Sequence, residues 1–193
     1  MSRLGGCGNG LAWTAAAVAL GCGTGCRSRD ASVELISYQD PYFPDQRRIV
    51  FDRCVYRVDG SGNRHIAAQA LVVPADVAGG PVTHYLHVQM FWQPVPGRTF
   101  ADSSGTDAVI RYVIVTPEGT AGYAGTGFVY APRKSGQELD AKVESATLRL
   151  ESQTSEAGGV LGDVSLHGEL EARRDAAATV DLVRELELHA RAR

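Results

Sequence analysis

Residues 109–131, VIRYVIVTPEGTAGYAGTGFVYA, decide the fold. Between 109 and 116 both parities are apolar except at Arg111. In a strand neither face would then be solvated, which is the pattern of a strand covered on both sides and placed centrally in its sheet. Pro117-Glu118-Gly119-Thr120 hinges this run to a second one, which carries Gly122, Gly125 and Gly127 ahead of Phe128-Val129-Tyr130. Glycine inside a strand pattern marks a bulge, a bend or another backbone passing close. The pair forms the middle of an all-β domain.

On the N-terminal side, residues 82–92 (VTHYLHVQMFW) place His84, Leu86, Val88, Met90 and Trp92 on one face and Tyr85, His87, Gln89 and Phe91 on the other. A spacing of three sends His84 and His87 to opposite faces of a strand, so the two do not chelate one metal. Runs 49–59 and 64–73 flank Gly60-Ser61-Gly62-Asn63 and read as a hairpin, with Cys54, Tyr56 and Val58 on one face and Ile66, Ala68, Ala70 and Val72 on another. Asp59, Ser61 and Asn63 have the odd spacing of a calcium loop. Arg64 and Ala70 stand where that loop needs glycine and glutamate, so this is a turn. The β-pattern starts at 32–37, and 38–48 (YQDPYFPDQRR) reads as a loop because Pro41 and Pro44 lack ladder donors.

On the C-terminal side, 93–107 is the longest internal linker; Asp102, Ser103, Ser104 and Asp107 offer cation oxygens or, more simply, Asx-type turns. In 139–150 the inward set changes parity, from Leu139, Ala141 and Val143 to Ala146, Leu148 and Leu150, the trace of a bulge near Glu144-Ser145. Residues 163–173 alternate cleanly, with Val164, Leu166, Gly168, Leu170 and Ala172 inward and His167 and Glu169 on the wet face. Asp175 is placed to cap an amphipathic helix carrying Val180, Val183, Leu186 and Ala190, with a shorter helix and a final strand as the alternative. The expected architecture is an antiparallel β-sandwich of about eight strands in two packed sheets, closed by a short C-terminal helix.

A chain of 193 residues with 44% apolar content suits one domain with short appendages. Its 19 basic and 22 acidic residues make no field that would gather nucleic acid. Ahead of this domain the composition differs. Arg3 is the sole charge before Arg27, and residues 11–20, LAWTAAAVAL, have the length of a signal-peptide apolar region but not of a membrane span.

Val18-Ala19-Leu20-Gly21-Cys22 resembles a bacterial lipobox, with Ala19 where leucine is commonest. The resemblance covers residues 1–22 only. It implies lipidation of the Cys22 thiol, cleavage after Gly21 and acylation of the new amino terminus. Residues 1–21 are then a lipoprotein signal peptide, 22–31 a short tether and 32–193 the domain, anchored in an envelope membrane and facing the periplasm or the cell exterior. With Cys7 removed and Cys22 capped, Cys26 and Cys54 remain as a candidate disulfide, while Cys54 fits a small core residue equally well.

No P-loop, dinucleotide glycine pattern, HExxH or CxxC is present, and no cofactor is expected. The leading expectation is a non-enzymatic, lipid-anchored envelope domain that binds another envelope protein or a polysaccharide, or serves in assembly. A saccharide module would present a concave face lined by Tyr42, Phe43, Trp92 and Phe100; a secreted hydrolase would require His84, His87 or His65 to meet an acid in a pocket.

Overall fold

The computed structural model describes residues 31–40, 42, 44–73, 80–91, 105–131, 136–154 and 161–191. In chain order these form β1 (Ser32–Ser37), β2 (Asp45–Val50), β3 (Arg53–Val58), β4 (Arg64–Val72), β5 (Val82–Met90), β6 (Gly105–Thr116), β7 (Gly119–Tyr130), β8 (Glu138–Gln153), β9 (Val164–Arg174) and α1 (Ala176–Ala190). Among the described residues the fold is all-β with one helix. Its strands follow the order β2-β1-β9-β3-β4-β5-β6-β7-β8, and β8 also pairs with β9, so the sheet closes on itself.

Two separate sheets of about eight antiparallel strands were expected; the described residues form one closed sheet of nine, with one parallel pairing. The difference arises at residues 49–59, which split into two strands around Phe51-Asp52. β1 runs antiparallel along β9 as far as Ser32 opposite Glu169, and β2 returns along β1. Beyond Ser32 the edge of β9 is free. The chain steps onto it as β3, travelling in the direction of β2 and therefore parallel to β9, through Val55 opposite Arg173 and Tyr56 opposite Arg174. A parity change marks the step, since Ile49 and Phe51 are buried before it and Tyr56 after it. Residues 45–48, assigned to a loop, belong to β2, because Pro44 lies just outside the strand and removes no donor from it. β6 likewise starts at Gly105, inside the expected linker.

The interior of the closed sheet is filled. Ile66, Val88, Ile110, Tyr112, Leu148 and Leu166 are all at 0% exposure and belong to one continuous cluster drawn from every side of the barrel. Two glycines make the closure sterically feasible. A β-carbon on Gly125 would run into the Thr147 carbonyl of β8, and one on Gly168 into the Ser32 carbonyl of β1. The parity change in 139–150 is a register shift between Val143 and Ala146 against β9, as the sequence pattern indicates.

The central strand is covered on both faces by two different layers. Ile110, Tyr112 and Ile114 of β6 point into the barrel, while Val113 lies outside it beneath α1 with Val55, Ala67, Tyr85, Ala178, Leu182 and Leu186. Asp175 starts the helix: its Oδ1 accepts from the Ala178 amide at 2.9 Å, and its own amide donates to the Tyr56 carbonyl at 3.0 Å, which pins the first turn to β3. At the other end the Ser152 hydroxyl donates to the Ala190 carbonyl at 3.0 Å. The helix spans the range predicted and ends at Ala190, so the final-strand alternative does not hold. Val180, however, faces out, and Leu182 takes the buried place beside Leu186.

Candidate functional site

The alternation of β5 sends its two histidines to different environments. His84 enters the barrel, where its Nδ1 lies 2.6 Å from the Tyr112 hydroxyl. Burial, and then the charge of Arg47, lower the His84 pKa to about 4, while burial holds the Tyr112 phenol protonated. Both are neutral at pH 7, and they form a polar contact within the apolar interior.

His87 emerges on the outer face and meets a second histidine. His65 Nδ1 and His87 Nε2 are 3.2 Å apart, and the rings are 7° from parallel with centroids 5.5 Å apart. That centroid separation matches two rings sharing one axis through the N···N contact, so the nitrogens point at each other as in a linear hydrogen bond. On its far side His65 Nε2 lies 3.2 Å from Asp59 Oδ2. Asp59 is itself fixed by the turn: its Oδ1 accepts from the Ser61 and Asn63 amides at 2.8 and 2.9 Å. Hydrogen bonding from His65, followed by that from Asn63 and Ser61, lowers the Asp59 pKa to about 2. His87 is lowered to about 4, by burial first and then by the charges of His65, Arg111 and Arg57. The odd spacing at Asp59, Ser61 and Asn63 is thus a turn that aims a carboxylate at His65. Among the described residues no group of three or more histidine, cysteine or acidic side chains is arranged to hold a metal.

Beside this chain lies an open groove of about 580 Å³ between the C-terminal turn of α1 and β6–β8. Its floor is made of small residues, including Gly122, Ala124 and Ala190, and its walls carry Arg111, Glu151, Glu187 and Arg191. Glu187 sits between the two guanidinium groups, 3.6 Å from Arg111 and 3.7 Å from Arg191, too far for a hydrogen bond to either. Both arginines line the groove. The volume falls within the usual range of ligand sites.

The other residues singled out by sequence do not converge. Cys22, Cys26, Phe43, Trp92, Phe100, Asp102, Ser103 and Ser104 lie outside the described residues, and with them the lipidation site, the disulfide partner and most of the proposed aromatic face. Tyr42 is 86% exposed. Cys54 packs against the barrel core, and burial pushes its thiol up to about 12. His167 is a half-exposed strand residue, as expected, paired with Glu34 at 2.7 Å. Sequence reasoning missed the groove, since Arg111, Glu187 and Arg191 meet only because α1 lies across the strands. It named His65 without its partners, although a register that sets Arg57 opposite His65 places Asp59 within reach across the turn. Comparison of the chain with known protein families, curated proteins and solved structures finds no match.

The buried neutral histidines make stability pH-dependent. In the unfolded chain they take up protons below about pH 6.5, while in the folded protein they do so only near pH 4. The unfolded state therefore binds more protons in that interval. Their contribution is complete above pH 6.5 and is lost as the pH falls toward 4, on the order of 3 kcal/mol each. Urea midpoints should fall steeply between pH 6.5 and 4, and His87→Gln should flatten that dependence. A midpoint constant over the interval would contradict the burial of neutral imidazoles.

Proposed function

We propose that the protein is a lipid-anchored cell-envelope component, held by Cys22, whose barrel is a non-enzymatic scaffold that binds another envelope component, a protein or a polysaccharide, at the groove beside α1. The observation that carries this reading is the filled interior. Among the described residues Tyr112, Ile110 and Val88 pack inside the barrel at 0% exposure, which favours recognition on the outer surface where the groove lies. Charged walls over a floor of small residues suit a polar, extended ligand that donates and accepts hydrogen bonds.

A hydrolase reading has one observation in its favour, the contact of His65 with Asp59. The far nitrogen of that imidazole is engaged by His87, however, and both rings are buried, His65 at 8% and His87 at 7% exposure. The pair is better suited to holding the β3–β4 turn than to activating a nucleophile.

Ala124→Trp tests the groove, because residue 124 is half-buried on the groove floor and outside the barrel core. The variant should melt as the parent does and lose retention on the envelope fraction once the tether has been cut. Retention that is absent in the parent domain, or unchanged in the variant, would refute groove binding.

A further inference from the structure

Two hydrogen bonds in series, Asp59–His65 and His65–His87, make a chain that exchanges protons without being dismantled. In the neutral form His65 donates from Nε2 to Asp59, and its Nδ1 accepts from Nε2 of His87. One added proton, taken up at Nδ1 of His87 as its Nε2 proton passes across the hydrogen bond, converts His65 to an imidazolium that donates both ways, to the Asp59 carboxylate and to the bare Nε2 of a neutral His87, so both bonds survive. A second proton must go to His87. Two N–H groups would then face each other across 3.2 Å and the link would break.

His87 is poorly placed to hold a charge. The titratable and charged groups around it are Arg57 on β3, Asp59 in the following turn, His65 on β4 and Arg111 directly opposite on β6. From α1, Glu187 reaches Arg111, and His189 lies further along, stacked on Tyr85. Arg57 has a buried Nε with no hydrogen-bond partner, so it is confined. Arg111 is half exposed and, among the described residues, is held by the 3.6 Å contact to Glu187. A cation formed at His87 therefore repels two guanidiniums, of which Arg111 is the one free to move. Arg111 is also a wall of the groove.

We propose that Asp59, His65 and His87 form a proton-responsive chain wired through Arg111 to the groove, so that acidification rearranges the groove wall while the barrel stays closed. The consequence for recognition rests on the groove being the binding site. The rearrangement itself does not, and it is read without any ligand.

The test is a nitrogen-15 NMR titration of the folded protein from pH 7.5 downward. At pH 7.5 a scalar coupling should connect His65 Nδ1 and His87 Nε2 through the hydrogen bond. As the pH falls toward 4 the signals of Arg111, Ala124 and Glu187 should shift together with the His87 ring, before the folded spectrum is lost. His87→Gln should abolish the groove shift, and His167→Gln, on the unconnected β9 pair, should leave it intact. Loss of all folded signals at once with no earlier shift at Arg111, or a groove shift that persists in His87→Gln, would overturn the proposal.

Discussion

Val113→Asp should yield no folded protein, while Glu169→Ala should fold and melt as the parent does. Val113 is 1% exposed and lies between the barrel wall and α1, against Val55, Ala67, Tyr85, Leu182 and Leu186. A carboxylate there loses its hydration and gains no partner within that apolar cluster, a cost of several kcal/mol whether it stays ionised or takes up a proton. The same change takes away what the two leucines are buried against, each contributing about 1.5–3 kcal/mol. Against a typical net stability of about 5–15 kcal/mol, that is enough to detach α1 and expose β6. Glu169 stands on the exposed face of β9, where truncation falls within about 0.5 kcal/mol. Circular dichroism and urea unfolding of the two variants check the pair, and equal melting would refute the two-layer burial of β6.

On the lipobox reading, Cys22→Ala should abolish membrane anchoring, and Cys26→Ala should not. Under the lipobox reading the Cys22 thiol carries the diacylglyceryl group and the new amino terminus a further acyl chain. Each buried methylene contributes about 0.8 kcal/mol, so several chains hold where one is marginal. Among the described residues no helix is long and apolar enough to cross a membrane. The alanine variant should therefore move from the detergent phase to the aqueous phase, or accumulate as uncleaved precursor. Cys26→Ala, outside the lipobox, should partition as the parent does. A Cys22→Ala protein that still enters the detergent phase would show that something other than acyl chains holds it.

Local patterns in the sequence were enough to place most strands, because each is either wet on one face or covered on both. Residues 163–173 alternate so strictly that their inward set, Val164 to Ala172, is the inward set of β9. The parity slip in 139–150 marked the bulge of β8. Closure of the sheet was not legible, since it depends on β3 taking the edge of β9 that β1 leaves, a pairing between residues more than a hundred positions apart. The step at Phe51-Asp52 carries no glycine or proline, so only the parity change from Phe51 to Tyr56 could have shown it. The outer-face chain and groove were hidden for the same reason. His65 and His87 are neighbours through strand register, and Arg111 and Glu187 through the path of α1, neither of which is a local property of the sequence.

The claim that this barrel works as a lipid-anchored envelope component is tested most directly by the intact mass of the mature protein recovered from the detergent phase. The account predicts a chain that begins at Cys22 and carries a diacylglyceryl group and an amino-terminal acyl chain. An unmodified amino terminus at Gly23, at Cys26 or beyond would contradict it and leave residues 1–21 as part of an ordinary secretory signal.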